Sequence, residues 1–202
     1  MKHFQKLNLK PALQYTYGQH RSGWKYALNS LSALHDERGI LVDGFIEKKF
    51  AWGNDMGDFF NKPQPYQTPW IGFIHCPPKI PKWFRYNLAP QSIFQTRLWQ
   101  ESSKYCKALF CLSEYHRQWL QQRLEIPIFN FFHPTEVPPL KFSFDKFLSN
   151  SQPKIVQIGW WLRKLHSIYY LPVHKIQKAI LMPNTPGLQQ LFQRERNIFH
   201  LQ

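Results

Sequence analysis

Lys154-Ile-Val-Gln-Ile-Gly-Trp-Trp-Leu-Arg-Lys164 is an apolar, β-branched run that closes on a glycine and hands over to two tryptophans and an Arg-Lys pair. β-Branched side chains suit a pleated surface. The stretch therefore predicts a buried strand over 155–158 that stops at a tight turn and presents cations at its carboxyl end. Open α/β sheets bind ligands outside the carboxyl ends of their strands. A glycine lets backbone approach a phosphate, and Arg and Lys neutralise it. Gly159, Arg163 and Lys164 are thus candidate phosphate ligands, with Trp160 and Trp161 as walls. The competing reading is a basic surface loop with both indoles in the core.

The flanking sequence repeats the pattern. Trp24, Ala27, Leu28, Leu31 and Leu34 fall on one stripe and predict a helix that Ser22 caps. Ile40-Leu-Val42, Trp70–His75, Ala108–Leu112 and Ile126–Phe132 read as strands. Residues 43–50 read as leading into a loop, and a proline-marked connector spans 61–70. Gln91–Lys107 reads as one helix, and a second begins at Ser113. Strands alternating with helices predict an α/β fold with a parallel sheet, and continuous apolar runs predict strands covered on both faces. Residues 137–152 read as a linker around a short helix. Lys178–Met182 predicts a last strand and Pro186–Phe192 the start of a last helix. The organisation expected is a lobe over 1–140, a linker over 141–153 and a partial second lobe over 154–202.

The 202 residues carry 26 Lys and Arg against 12 Asp and Glu, a formal charge of +14 spread along the chain. Such an excess favours anionic partners: nucleotides, phosphorylated sugars, nucleic acid or an anionic membrane face. Hydrophobic residues at 43% and aromatics at 17% exclude a disordered chain. Cys76, Cys106 and Cys111 are too few for a disulfide framework, and buried inert thiols are the preferred reading. No pair of cysteines has zinc-ligand spacing, and no metal site is expected. The first ten residues are too polar for a secretory signal and no apolar run spans a bilayer, so the expectation is a cytoplasmic protein with peripheral membrane contact left open.

Single residues at strand ends are the remaining candidates. His75 stands where a strand meets Cys76-Pro-Pro, the position of an acid, a base or a sugar-hydroxyl ligand, or equally of a histidine bonded to loop backbone. Ser113-Glu114 opens a helix directly after a strand, and capping explains Ser113 without a ligand. His133-Pro-Thr-Glu136 follows another strand end. His133 and Glu136 are candidates for an inter-lobe crevice, and a turn into the linker is the favoured alternative. There is no phosphate-binding P-loop, no dinucleotide fingerprint and no nucleophile elbow.

With those residues in view, the chain resembles glycosyltransferases of the two-lobed GT-B type over roughly residues 15–185. His20-Arg-Ser-Gly-Trp24 is similar to the glycine-containing N-terminal loop that faces the acceptor in that family. Leu112-Ser-Glu-Tyr-His-Arg117 is similar to its Ser-Glu helix start late in the first lobe, with His133-Pro134 at the next strand-end turn. Ile155–Lys164 is similar to the first strand of its second lobe. The resemblance implies a Rossmann-like N-terminal lobe and a second Rossmann-like lobe. It implies sugar transfer from a nucleotide-sugar substrate, with no other cofactor. By that resemblance Gly23 and Trp24 lie on the acceptor side, His75 stands near the reacting sugar, and Gly159, Arg163 and Lys164 hold the donor diphosphate.

The family's donor lobe carries a carboxylate pair, whereas Glu195 is the only acidic residue here after Asp145. An incomplete donor lobe with an uncovered apolar face is therefore expected, with catalysis requiring a second chain to supply the rest. A non-catalytic basic module holding nucleic acid or an anionic surface is the rival expectation. Aromatics beside cations suit base stacking, but no aromatic strand motif of the common RNA-binding kind is present.

Overall fold

A computed structural model describes residues 6–13, 22–51, 63–84, 86–135, 137, 139–173, 175–182 and 184–198. The chain divides into two compact units, Met1–Val137 and Pro138–Gln202. The first unit is α/β and is built on a parallel sheet of five strands in the order β1-β2-β3-β4-β5. The strands are β1 (Leu7–Asn8), β2 (Ile40–Asp43), β3 (Trp70–Ile74), β4 (Cys106–Cys111) and β5 (Ile128–Asn130). Between them run α1 (Lys10–Leu13), α2 (Ser22–Ser30), α3 (Ile46–Phe50), α4 (Pro90–Ile93), α5 (Arg97–Ser103) and α6 (Glu114–Gln121). The order is sequential, so no reversal among these strands opens a crevice of the doubly wound kind.

Strand β3 shows why both faces of this sheet are covered. Leu9, Ala12, Leu28 and Val42 form a buried cluster against which Ile71 and Phe73 pack. The alternate residues Trp70, Gly72 and Ile74 are buried on the other face. There the Trp70 indole N–H donates to the carbonyl of Ser102 at 2.8 Å, and its ring meets Tyr66, Phe50 and Trp99 at centroid distances of 4.9, 5.8 and 6.0 Å. Gly72 lies under α3, where a Cβ would stand 2.6 Å from Cγ2 of Ile46. The missing side chain lets that helix lie close on the strand.

Three expectations are corrected. Gln91–Lys107 is not one helix but two short ones ending at Ser103, and its last two residues open β4. Pro90 starts the first, and the Thr96 hydroxyl accepts from the Trp99 amide at 3.2 Å to cap the second. Residues 46–50, read as leading into a loop, form the single-turn helix α3. The third concerns the second unit, where β6 (Lys154–Ile158) pairs in parallel with β7 (Gln177–Leu181). Strand β6 is not buried as expected: Val156 and Ile158 are 41% and 68% exposed, and Leu181 of β7 is 57% exposed. Two strands leave one face without enough neighbours to cover it.

The second unit also contains α7 (Phe144–Leu148) and α8 (Pro186–Ile198). Among its described residues Leu165, His166, Ile168 and Leu188 are buried. His166 fixes α8, because its Nε2 donates to the Phe192 carbonyl at 3.0 Å and its ring lies 4.2 Å from that of Phe192. No described helix is long and apolar enough to cross a membrane.

Candidate functional site

Parallel strands deliver their carboxyl ends to one edge, and the polar residues of the first unit gather there. Asp43 ends β2, His75 follows β3, and His133 stands three residues beyond β5. Trp24, near the start of α2, joins two of them. Its indole N–H donates to Nε2 of His133 at 3.2 Å, while its ring lies 5.1 Å from that of His75. Nδ1 of His133 donates to the Pro134 carbonyl at 3.0 Å, which sets the tautomer that leaves Nε2 as acceptor. Phe73 and Phe131 meet Trp24 edge-on at 5.4 and 5.6 Å. His75 donates from Nε2 to the Gly44 carbonyl at 3.0 Å, and Phe45 stands edge-on to it at 4.6 Å. In that tautomer the basic lone pair of His75 is on Nδ1.

Gly23 explains how α2 reaches this edge. A Cβ there would stand 2.4 Å from the backbone oxygen of Pro134. Only a hydrogen fits between the helix start and the turn after His133. Gly23→Ala is expected to push α2 outward, lengthen the Trp24–His133 bond and cost about 1–3 kcal/mol, the usual range for overpacking a tight contact. Urea unfolding followed by tryptophan fluorescence checks it, and an unchanged midpoint would rule the close approach out.

The residue that sequence reasoning missed is Glu47. It is fully buried, and Oε1 accepts from the backbone N–H of His75 at 2.7 Å and of Cys76 at 2.6 Å. Burial pushes its carboxyl up from 4.5 to about 7; the N–H groups of Cys76, Glu47 itself and His75 oppose that, and nearby Asp43 adds to it. A carboxyl that titrates near neutrality directly behind a strand-end histidine is a recurrent property of acid–base sites. Asp43, also fully buried, accepts from the Phe45 amide at 2.9 Å and the Tyr66 hydroxyl at 2.8 Å. The sequence did hold a signal: Ile46 and Phe50 are spaced four apart around Glu47 just past a strand.

Ser113 and Glu114 follow β4, the strand between β3 and β5, at the same carboxyl edge. The Ser113 hydroxyl accepts from the His116 amide at 3.2 Å and caps α6. Glu114 is held by Arg117 one turn along the same helix, which lowers its carboxyl. His116 is buried and its imidazole is pushed down to about 4 by that burial. Glu136 lies outside the described residues, as do His20 and Arg21 and the side chain of Ser22. Cys76, Cys106 and Cys111 are in no disulfide, and burial raises Cys106 to about 12 and shifts Cys111 in the same direction, so neither of those two is a nucleophile near neutral pH.

The 159–164 turn of the second unit is left-handed at two places, φ being +80° at Gly159 and +56° at Leu162. The Gly159 N–H donates to the Leu181 carbonyl at 2.7 Å, so that amide is committed to the β6–β7 pair. Nη1 of Arg163 donates to the Trp161 carbonyl at 2.8 Å, while Trp160 and Trp161 pack edge-to-face at 5.6 Å. Arg163 and Lys164 are both exposed. An anion here would be met chiefly by those two cations. Among the described residues no group of three His, Cys, Asp or Glu side chains could hold a metal.

Comparison with protein-family models, with curated proteins and with solved structures finds no match to this chain.

Proposed function

We propose that the chain is a glycosyltransferase-like protein of GT-B type, its first unit a Rossmann-like acceptor lobe and its second unit carrying the donor diphosphate turn. The observation that carries the proposal is the convergence of Trp24, Glu47, His75 and His133 at the carboxyl edge of the parallel sheet. In this reading His75 is the acid–base residue near the reacting sugar. Glu47 positions it by holding the backbone of His75 and Cys76, and its buried carboxyl favours a positive imidazole once charged. The Trp24 indole, 2% exposed, packs behind this edge and holds His133 through its N–H. Arg163 and Lys164 stabilise the departing nucleoside diphosphate, whose charge grows as the glycosidic bond breaks.

Calorimetric titration of UDP-glucose and GDP-mannose into the full chain tests the donor half. Saturable binding of one of them is expected, weakened at least about tenfold in the double variant Arg163→Ala/Lys164→Ala, since charge-assisted bonds contribute about 1.5–3 kcal/mol each. Single-stranded RNA titrated in parallel at two salt concentrations is the counter-test. A steep salt slope on RNA with no nucleotide-sugar signal would replace this reading with that of a basic binding module.

A further inference from the structure

We propose that residues 140–148 are a lipid-contact element that seats the chain on an anionic bilayer surface. Leu140, Phe142, Phe144, Phe147 and Leu148 are 84, 77, 62, 56 and 66% exposed, five large apolar side chains within nine residues. They form a patch and are not scattered: Phe142 and Phe144 meet Phe147 at ring distances of 6.0 and 6.4 Å. Phe144, Phe147 and Leu148 share one face of α7 by their i, i+3, i+4 spacing. The turn is a built one, with the Ser143 carbonyl accepting from the Phe147 amide at 3.0 Å and its hydroxyl accepting from the Lys146 amide at 3.4 Å. An exposed apolar patch on a water-soluble surface marks a contact.

Charge selects the occupant. Lys141 and Lys146 are exposed within the patch, against the single acid Asp145, and the chain as a whole carries +14. Leucine and phenylalanine interleaved with lysine is the chemistry of an interfacial membrane element: the apolar groups enter the headgroup boundary and the ammonium groups meet lipid phosphates. A second copy of the chain would bring the same lysines and the same excess charge face to face. Nucleic acid would use the lysines and leave Leu140 and Leu148 without a partner.

Co-sedimentation of the full chain with vesicles of phosphatidylcholine containing roughly one-third phosphatidylglycerol tests this, with pure phosphatidylcholine as reference. Binding is expected on the anionic vesicles, weaker by at least about tenfold on neutral ones and reduced by added salt. Phe142→Ser/Phe147→Ser and Lys141→Glu/Lys146→Glu should each lower it about tenfold or more while leaving the thermal midpoint in place, because these side chains are exposed. Unaltered vesicle binding in both double variants overturns the proposal. So does a self-associated species in sedimentation velocity that Phe142→Ser/Phe147→Ser dissolves, in the absence of vesicle binding, since a second copy would then cover the patch.

Discussion

Trp24→Ala is expected to lower the unfolding free energy by about 3–5 kcal/mol, the range for deleting a buried indole. The size comes from the neighbours of that ring. It is 2% exposed and meets Phe73, Phe131, His75 and His133, which come from or follow β3 and β5. Removing it opens a void between α2 and the sheet edge and releases His133 from its donor. Trp24→Phe is the milder change. It keeps the six-membered ring but loses the five-membered ring with its N–H, so a smaller loss of about 1–3 kcal/mol is expected, from the hydrogen bond and the smaller void together. Urea unfolding of both variants reads the difference. A loss under about 1 kcal/mol for Trp24→Ala would mean that the indole is not seated in the core as described.

Glu47→Gln is expected to change how stability depends on pH. The folded carboxyl holds its proton up to about 7 against 4.5 in its ordinary state. Between those values the native chain binds more protons than the unfolded one, so stability is full below pH 4.5 and falls as pH rises through 7. The accumulated loss is about 3 kcal/mol. Glutamine has the same outline, keeps an oxygen for the His75 and Cys76 amides, and carries no charge to bury. The variant's stability should therefore stay flat over this interval, and at pH 8 or so it should exceed the parent's by up to about 3 kcal/mol. Urea midpoints of both proteins at several pH values decide it, and parallel curves would show that Glu47 does not titrate in that range. If the proposed acid–base role also holds, the more stable variant will be the worse catalyst, a trade seen where an active site keeps a costly group.

Much of the architecture was legible because buried parallel strands write themselves as apolar runs. Ile40–Asp43, Trp70–Ile74 and Cys106–Cys111 fall within two residues of the runs that predict them. Elements of one turn or less escaped. Strand β1 is two residues long, and α3 is one turn whose lysines and glutamate resemble a solvated loop. Ile93, Phe94 and Leu98 give the Gln91–Lys107 stretch a helical look, but the Thr96 hydroxyl competes for backbone amides and splits it. His75 and His133 were visible as singular residues at strand ends and Trp24 at a helix start, and the structure brings them together. Glu47 was not, because a buried acid is recognised by its surroundings, and its partners lie 28 and 29 residues away.

The contact between Gly72 and Ile46 bears on how this chain tolerates change. Ile46 precedes Glu47 in the same helical turn, so the hydrogen at position 72 governs how near the acid comes to the loop it grips. A methyl group added there would alter no charge and remove no donor, yet it would lift the carboxylate from its two amides. The most damaging small substitution at this edge could therefore fall on a residue with no side chain and no chemistry of its own.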